Sequence, residues 1–562
     1  MTTPTSLPTT QYAVQLTGPG KLRLNTSKPV EAPGPHQVLG VVESVGLCFS
    51  DLKLLKQFSE HPRKSEVTQG LAHEVLKEIP SYVPGDKPAV PGHEAVIRIV
   101  AVGKQVQRHK VGERCLVQAD YRGILTAGSN AAFGYNFEGA LQEYVSLDER
   151  VIIDSANGDR FLIPVPEHLS SSALALIEPW ACVENSYVTP ERRTIKAGGK
   201  LAVVVDDDNK MAGIEESLAP QGHPAAITVV CAGNCDKLLA KVSNAPVKRL
   251  NTVAELANES FDDIIYFGSD RKIIELLNDK LATCGLINIV TAGRKIGAPV
   301  LVGVGRVHYG MTRWIGTTSG NAAESYKGIP DTGEIRAGDT ICVTGAGGPM
   351  GQMHVIRDLC TGRQGVVMTA VDFDDVRLAS VMDKAQPLAE ANKATIRTLN
   401  PKKETLSGPF SYQVVMAPVG SVVADAITTS APGCRINVFA GIPANVKHEL
   451  DLDTYIRNRC YMFGTSGSTI RDMKIVLEKV VAGTLDTNRS VDAICGMAGA
   501  LDGLAAVENR TLAGKIVVYP ALHELGLVPL KDLAKTWPSV AGKLDHGNWT
   551  LDAERELLRV AK

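Results

Sequence analysis

The chain has 562 residues, of which 44% are hydrophobic and 21% are charged, and 59 basic side chains nearly balance 61 acidic ones for a net charge of -2. A chain with this balance of charges lacks the excess of positive charge with which proteins bind nucleic acids and anionic membranes. At about 150 residues per domain, the length predicts three to four domains.

Neither the N-terminal stretch nor the cysteines indicate export. Residues 1–11 are polar and lack the charged and apolar segments of a signal peptide, and no run of 18 apolar residues occurs along the chain. The eleven cysteines include no CxxC pair, which argues against a disulfide framework. We therefore expect a cytoplasmic protein that binds neither membranes nor nucleic acid.

Residues 12–165 contain short apolar segments separated by glycine and proline. This density of strands and turns predicts a small β-rich, barrel-like domain. The predicted strands are Tyr12–Leu16, Gln37–Val45, His93–Val102, Arg114–Gln118 and Gly139–Ser146.

Two short runs in this domain carry groups that can bind a metal. One run contains Cys48, Ser50 and Asp51, and the other contains His93 and Glu94. A thiolate, an imidazole and carboxylates can hold a zinc ion with one position left open. A lone cysteine or histidine usually belongs to the core, but the combination of both runs predicts a catalytic metal site.

The wider pattern resembles the catalytic domain of the zinc-dependent medium-chain alcohol and polyol dehydrogenases. In those proteins the fold is a GroES-like β-rich domain, and some members carry a second, structural zinc in a four-cysteine lobe. No such lobe follows Cys115, so we expect one zinc per chain. The matching motifs are Gly46-x-Cys48-x-Ser50-Asp51, Gly92-His93-Glu94, Gly103 and Val111-Gly-Glu-Arg-Cys115.

The resemblance also implies a role for each residue of the site. Cys48 and His93 would bind the zinc, and Glu94 would either bind it or contact a ligand. Ser50 would relay the proton of the substrate hydroxyl. Asp51 would orient a ligand or the loop that carries it.

Glu178 is a further candidate for the metal site. It follows capping serines and an apolar run and precedes a proline, which predicts the end of a helix. In the polyol dehydrogenases a glutamate in an Ala-Leu-x-Glu-Pro setting approaches the zinc, and Glu178 matches that position. The alternative is a carboxylate at a helix end with no role in the site.

The interval between Cys48 and His93 is longer than in most members of this family. The excess, roughly residues 58–89, contains His61-Pro-Arg63-Lys64 and further charged side chains. We favour a solvated surface insertion, and a lid that contacts the substrate is the alternative.

The sequence repeats itself from residue 194 onward. Three landmarks recur in the same order, which predicts two tandem copies of a Rossmann-like unit in which strands alternate with helices. The matched pairs are Thr194–Gly198 with Glu334–Gly338, Gly285–Gly293 with Gly433–Gly441, and Trp314–Thr317 with Met462–Thr465.

The second copy has the features of a dinucleotide site. A strand leads into a glycine-rich turn that opens a helix, so backbone N–H groups can face a pyrophosphate. Asp372 ends the next strand, where a carboxylate binds the ribose hydroxyls and repels a 2′-phosphate, which predicts NAD. The candidates for cofactor binding are Gly345, Gly347, Gly348, Pro349, Met350, Gly351, Asp372 and Gly441.

In the first copy the corresponding turn contains Asp206, Asp207 and Asp208 and no close pair of glycines. Three carboxylates would repel a pyrophosphate, so we expect this copy to have lost cofactor binding. Members of the family commonly pair two subunits through their cofactor domains. The resemblance therefore implies that the two copies pack together as an internal pseudo-dimer.

The end of the chain is expected to return to the catalytic domain. Ala513–Val518 resembles the strand by which family members rejoin it, and residues 521–562 are expected to pack there. The predicted class is α/β, with two tandem doubly wound Rossmann-like domains after the GroES-like domain. The predicted ranges are 1–193 for the zinc catalytic domain, completed by 513–562, then 194–325 for the degenerate copy and 334–512 for the NAD-binding copy.

The resemblance implies an oxidoreductase that transfers a hydride between NAD and a secondary alcohol of a polyol, sugar or sugar derivative. The zinc would lower the pKa of that alcohol. A lyase or epimerase that uses tightly bound NAD for transient oxidation is the alternative, and a binding module without catalysis is a third reading. The sequence is compatible with a monomer or a homodimer.

Overall fold

The computed structural model describes residues 7–206, 212–231 and 245–561. Asp207–Asn209, in the acidic turn of the first copy, therefore lie outside the described residues. Within these ranges no helix has both the length and the apolarity needed to cross a membrane. Nine of the described cysteines are free thiols, and Cys231 is disulfide-bonded.

The described residues form five β-sheets, of which the largest have eight and twelve strands. The strands are β1 Thr10–Leu16, β2 Leu22–Pro29, β3 Gln37–Gly46, β4 Val67–Gln69, β5 Glu94–Val102, β6 Arg114–Val117, β7 Asp120–Thr126, β8 Asn130–Ala132, β9 Tyr144–Asp148, β10 Leu162–Pro164, β11 Lys200–Val205, β12 Ala226–Cys231, β13 Val247–Leu250, β14 Phe261–Phe267, β15 Leu281–Val290, β16 Val300–Val302, β17 Arg313–Thr317, β18 Thr340–Thr344, β19 Val367–Val371, β20 Thr395–Leu399, β21 Phe410–Val415, β22 Ser430–Val438, β23 His448–Leu450, β24 Tyr461–Phe463, β25 Val491–Cys495, β26 Lys515–Val518 and β27 Val528–Pro529. The helices are α1 Phe49–Gln57, α2 His73–Lys77, α3 Ser171–Ala175, α4 Ile177–Val188, α5 Arg271–Asn278, α6 Val304–Tyr309, α7 Ala323–Lys327, α8 Pro349–Leu359, α9 Asp375–Ala391, α10 Gly420–Thr428, α11 Leu452–Arg457, α12 Ile470–Val481, α13 Ala500–Asn509, α14 Leu533–Thr536, α15 Pro538–Ala541 and α16 Leu551–Val560.

The chain divides into two compact units. The described residues of Met1–Glu184 and Ser468–Lys562 form the first, and those of Asn185–Gly467 form the second. Residues 468–512, which the sequence pattern placed in the second Rossmann-like copy, thus belong to the catalytic unit. The reason is that β25 pairs with β26 in the sheet of that unit and not with a strand of the second unit.

The eight-stranded sheet of the first unit has the order β10-β6-β5-β3-β26-β25-β27, with β9 also paired to β3. Four of the five predicted strands correspond to β1, β3, β5 and β6. The fifth is shorter than predicted, because β9 begins at Tyr144. Before it, the amides of Gly139, Ala140 and Leu141 hydrogen-bond the carbonyl groups of residues 90–92, just ahead of His93.

The twelve-stranded sheet of the second unit contains both Rossmann-like copies. The first copy contributes the parallel strands β13-β12-β11-β14-β15-β17, and the second contributes β22-β21-β18-β19-β20 together with β24, which lies parallel to β22. Read from β11 and from β18, both halves have the doubly wound strand order 3-2-1-4-5-6. The prediction of two tandem Rossmann-like domains is confirmed.

The two copies join edge to edge inside this sheet. Trp314 of β17 pairs antiparallel with Met462 of β24. The buried Tyr455 hydroxyl bridges the joint, since it donates to the Trp314 carbonyl at 2.7 Å and accepts from the Met462 amide at 2.8 Å. A second antiparallel ribbon forms between β16 and β23. The two copies therefore share one sheet, which agrees with the predicted internal pseudo-dimer.

Candidate active site

The first run of the candidate metal site forms the start of a helix. Strand β3 ends at Gly46, and Cys48 is the residue that caps α1. The carboxylate of Asp51, three residues on, accepts a hydrogen bond from the Cys48 amide at 3.1 Å, as in a capping box. The spacing of Cys48 and Asp51 thus fixes the backbone that carries the thiol.

Asp51 also orients the second run. Its Oδ1 atom lies 3.0 Å from Nδ1 of His93 and accepts from the Gly92 amide at 3.3 Å. Burial lowers the pKa of His93, but the charge and hydrogen bond of Asp51 outweigh burial and raise it well above the ordinary value. With Nδ1 held by Asp51, Nε2 of His93 faces the site.

The hydroxyl of Ser50 lies between the two predicted ligand atoms. Its oxygen is 3.0 Å from the Cys48 sulfur and 3.2 Å from Nε2 of His93. Cys48 is half-buried while His93 is buried, so the Ser50 side of the group is the more open one. A hydroxyl at this place can exchange a proton with a substrate that reaches the ligand atoms.

Glu94 is fully buried at the start of β5, and its two carboxylate oxygens lie in different surroundings. Oε1 accepts from the Lys515 ammonium at 2.6 Å. Oε2 has no hydrogen-bond partner among the described residues, although it is buried. A Cβ on Gly46 would lie 2.2 Å from this same oxygen, which explains the glycine two residues before Cys48.

The thiol, imidazole and carboxylate come together as one candidate ligand group. In the described part of the chain, ligand atoms of Cys48, His93 and Glu94 all lie within 4.8 Å of one another. This donor set fits zinc, which takes sulfur, nitrogen and oxygen ligands in catalytic sites and leaves a position for substrate. The partnerless Oε2 of Glu94 is consistent with a carboxylate that acquires a cation.

Glu178 lies outside this ligand group but close to it. It is in the first turn of α4, after the short helix α3, which Ser170 caps. Burial raises the pKa of Glu178 to about 7, and Glu94 raises it while His93 lowers it. The structure therefore places Glu178 beside the ligand group without joining it to the three-residue cluster.

Two residues of the site were not identified from the sequence. Lys515 begins β26, and its buried ammonium donates to Glu94 and to the Leu47 carbonyl at 2.7 Å. Tyr135 is buried with its ring centroid 6.0 Å from that of His93. A lysine that opens an otherwise apolar strand was a usable signal for the first, because a buried ammonium requires an acidic partner. Nothing in the sequence distinguishes Tyr135 from other aromatic residues.

In the second copy the glycine-rich turn connects β18 to α8, as the sequence predicted. Gly345 has a φ of +89°, and a Cβ on Gly351 would lie 2.2 Å from the Gly345 carbonyl oxygen. These two glycines are therefore required by the turn itself. A Cβ on Gly348 would meet nothing closer than 4.0 Å, so the turn leaves open space above the start of α8.

The remaining cofactor candidates lie around this turn. Pro349 and Met350 are the first residues of α8. Asp372 follows β19, and its Oδ2 accepts from the Gly347 amide at 3.0 Å. Gly441 follows β22, and a Cβ there would lie 2.9 Å from the Tyr309 hydroxyl of the first copy. The turn thus combines open space at Gly348, the N-terminus of α8 and the carboxylate of Asp372 after the neighbouring strand. This combination fits a dinucleotide.

The first copy has a different arrangement at the equivalent place. Asp206 directly follows β11, and the Tyr266 hydroxyl donates a short hydrogen bond to its carboxylate. The same hydroxyl accepts from the Asp270 amide at 3.0 Å. A Cβ on Gly268 would lie 2.2 Å from the Tyr266 ring and 2.3 Å from the Asp206 carboxylate, so this pair fills the space next to the turn.

Known proteins resemble both the domain and the longer chain. Residues 34–157 match the family model of the alcohol dehydrogenase GroES-like domain. The chain is 25% identical over 353 residues to L-sorbose 1-phosphate reductase of Klebsiella pneumoniae. The aligned region covers 56% of this chain and 76% of that protein. It is 35% identical over 101 residues to sorbitol dehydrogenase of Bos taurus, which covers 18% of this chain and 22% of that protein.

Solved structures of alcohol dehydrogenases also align with the chain. The structure of 2R,3R-butanediol dehydrogenase from Bacillus subtilis covers 91% of this chain and 100% of its own, with 15% identity and a TM-score of 0.49. The domain match and the named relatives agree with the motifs around Cys48 and His93. Together they support an oxidoreductase of the zinc-type medium-chain dehydrogenase family.

Proposed function

We propose that this chain uses zinc and NAD to interconvert a secondary alcohol and a ketone on a polyol or sugar-like substrate. The observation that carries the proposal is the ligand group of Cys48, His93 and Glu94 within the matched domain. The substrate class is suggested by the relatives, which include a sorbose phosphate reductase and sorbitol dehydrogenases.

Zinc bound by Cys48 and His93, with Glu94 as the third candidate ligand, would supply Lewis-acid polarisation of the substrate oxygen. The residues of the chain would provide positioning and proton transfer. The Ser50 hydroxyl, within hydrogen-bond distance of both ligand atoms, would relay the proton of the substrate alcohol, accepting it while passing its own proton onward. Asp51 would keep Nδ1 of His93 occupied, so that Nε2 faces the site.

Lys515 would balance the charge of the site. The ammonium of Lys515 contacts Oε1 of Glu94 and leaves Oε2 available. Glu178 lies beside the ligand group, where burial raises its pKa to about 7. For the hydride acceptor, the second copy supplies the open glycine-rich turn, and Asp372 is the reason to propose NAD rather than NADP.

The test uses the full chain loaded with zinc and supplied with NAD and a panel of polyols. We expect NADH to accumulate with at least one polyol and one zinc to be bound per chain. Cys48→Ala should lose both the zinc and the NADH signal, while Cys284→Ala, which removes an exposed thiol, should lose neither. Product without NADH would instead favour a lyase or epimerase, and full activity of Cys48→Ala would refute the site.

A further inference from the structure

The stretch interpreted from sequence as a surface insertion contributes to the wall of the candidate metal site. The ring of His61 lies 5.0 Å from the ring of Tyr135, and the Arg63 guanidinium lies 5.7 Å from the same ring. Tyr135 in turn lies beside His93, with 6.0 Å between ring centroids. We call His61, Arg63 and Tyr135 the insertion wall. It is one side chain away from a predicted zinc ligand.

The backbone of the insertion wall is firmly anchored. Lys64, the neighbour of Arg63, is fully buried, and its ammonium donates to three carbonyl groups, including those of Gly85 at 3.0 Å and Lys87 at 2.8 Å. The Thr126 hydroxyl donates to the Pro62 carbonyl at 2.9 Å. These bonds hold the start of the insertion against its end and against Thr126, so the wall is preorganised.

The insertion wall presents hydrogen-bond donors. Nδ1 of His61 accepts from the Arg63 amide at 3.2 Å, and burial, followed by the charges of Arg63 and Lys53, lowers the pKa of His61 to about 4. The neutral ring therefore carries its hydrogen on Nε2. Among the described residues, this Nε2 and the Tyr135 hydroxyl have no hydrogen-bond partner. Neither atom is among those that are both fully buried and unpaired.

Two guanidinium groups lie next to the wall. Asp120 accepts an ion pair from Arg63 at 2.9 Å and a longer one from Arg122 at 3.4 Å. One carboxylate thus pairs with two guanidinium groups, and its contact with Arg63 runs through Nη1. A guanidinium carries five N–H donors, so Arg63 can hold Asp120 and a ligand at the same time. A guanidinium can bind a phosphate or a carboxylate in bidentate fashion.

We propose that the insertion wall binds an anionic group of the substrate, a phosphate ester or a carboxylate, at the end away from the reacting carbon. Arg63 supplies the charge, and Nε2 of His61 and the Tyr135 hydroxyl supply neutral donors. The inference rests on the proposed function, because it names the substrate class of the same site. Arg63 is a specificity-determining residue in this scheme and takes no part in proton or hydride transfer.

The kinetic test compares sorbitol, sorbitol 6-phosphate and gluconate with the zinc-loaded full chain and NAD. We expect the kcat/KM of the unmodified protein to be at least tenfold higher for one of the two anionic compounds than for sorbitol, and the better one identifies the source of the charge. Arg63→Met should raise KM for that compound at least tenfold while kcat changes less than twofold. Its activity on sorbitol should stay within twofold, and Arg63→Lys should recover part of the loss.

Arg122→Met is the matched control, because Arg122 shares the Asp120 partner but is half exposed and does not contact the Tyr135 ring. It should change KM for the anionic compound less than threefold. If Arg63 served only to hold the insertion in place, Arg63→Met would impair sorbitol and the anionic compound equally and lower the melting temperature. That result, or an unmodified protein that does not prefer either anion, would overturn the inference.

A binding measurement separates this inference from the proposed function. Sorbitol 6-phosphate and gluconate are titrated calorimetrically into the zinc-loaded protein without NAD. Binding that weakens at least tenfold in Arg63→Met would support the insertion wall even if no NADH formed in any assay, in which case the proposed function alone would fail. Equal binding by the unmodified protein and Arg63→Met would refute the wall even if sorbitol were oxidised.

Discussion

The two Rossmann-like copies share a sheet topology and differ at the turn where a dinucleotide would bind. Both build six strands in the same order, and they meet at β17 and β24. After β18 the second copy continues into Gly345, whereas after β11 the first continues into Asp206. The comparison indicates that the apolar strands preserve the fold, while a few backbone positions after the first strand determine whether a phosphate can approach.

The strand next to the turn also differs between the two copies. Tyr266 of β14 pairs with Val204, and the equivalent position on β21 is Val414, which pairs with Val343. The tyrosine brings a hydroxyl that binds Asp206, and valine has no such group. In the first copy, carboxylate and phenol thus take up the space next to the turn.

The segments after the two turns differ as well. The second copy opens α8 immediately, with free N–H groups at its start. In the described residues that follow the first-copy turn, a short 3-10 helix spans Glu215–Ser217 before β12 begins. Among the described residues of the first copy, no α-helix lies between Ala212 and the start of β12. The first copy shares an apolar core with the second.

The largest expected effect comes from disrupting the joint between the copies. Trp314 is 1% exposed and belongs to an apolar core with members from both copies. Trp314→Ala should therefore lower the free energy of unfolding by roughly 3–5 kcal/mol, as for large core truncations. The expected calorimetric result is a lower melting temperature for the whole second unit in one transition.

A milder change at the same joint serves as the matched variant. Tyr455→Phe keeps the ring but removes the hydroxyl that joins Trp314 to Met462. It should lower the free energy of unfolding by about 1–2 kcal/mol, because two buried backbone groups lose a partner. If either variant produced separate transitions for the two copies, the copies would fold independently and the joint would not be a shared core.

The second prediction tests which copy binds the cofactor. We expect calorimetric titration to give a stoichiometry near one NAD per chain. Gly348→Asp should weaken NAD binding by about 100-fold or more, equivalent to about 2.7 kcal/mol, because the carboxylate would stand in the open space above α8. The protein should still fold, since aspartate is a favourable residue at the first position before a helix.

The control is a change at the equivalent turn of the first copy. Asp206→Ala removes the carboxylate that binds Tyr266 and should leave NAD affinity within twofold. Asp207→Ala, in the same turn, should also leave NAD affinity within twofold. If these changes abolished NAD binding while Gly348→Asp did not, the assignment of the two copies would be reversed.

The difference between the copies could be read from the sequence because it is local. Strand, turn and helix follow one another within a dozen residues, and glycine or aspartate at each position has a direct steric or electrostatic meaning. The Cys48–Asp51 spacing is local in the same way, since one helical turn brings the carboxylate back to the Cys48 amide. Such features were predictable without knowledge of the packing.

Features that depend on distant strand pairing were not predictable. Lys515 reaches Glu94 because β26 pairs with β3, and those strands are far apart in the sequence. Residues 468–512 continue the alternation of helix and strand, so the sequence pattern assigned them to the second copy. Their place in the first unit depends on the pairing of β25 with β26, which local periodicity does not reveal.

The third prediction sharpens the cofactor choice of the second copy. Asp372 follows β19, where its carboxylate should bind the ribose hydroxyls and repel a 2′-phosphate. We expect Asp372→Ala to reduce the preference for NAD over NADP, measured as a ratio of kcat/KM, by about tenfold or 1.4 kcal/mol. Equal kcat/KM for both cofactors in the unmodified protein would refute this prediction.

The last prediction concerns Asp358, a buried carboxylate in α8, the helix that starts at the cofactor turn of the second copy. Burial raises its pKa to about 7; the facing Glu334 also raises it, while Arg357 and the Tyr187 hydroxyl, which donates to it at 3.0 Å, lower it. The unfolded chain releases this proton near pH 4, so the folded state holds one more proton between about pH 4 and 7.

Stability should therefore fall as pH rises through this window, by about 1 kcal/mol between pH 5 and 6, and Asp358→Asn should remove that part of the slope. The measurement is denaturant unfolding at both pH values. Asp375→Asn is the control: Lys403 lowers the pKa of this exposed carboxyl, so it stays charged across the window and its removal should leave the slope unchanged. If the free energy of unfolding changed equally between pH 5 and 6 in Asp358→Asn and in the unmodified protein, Asp358 would be ionised in the folded state. Its charge would then be balanced by Arg357.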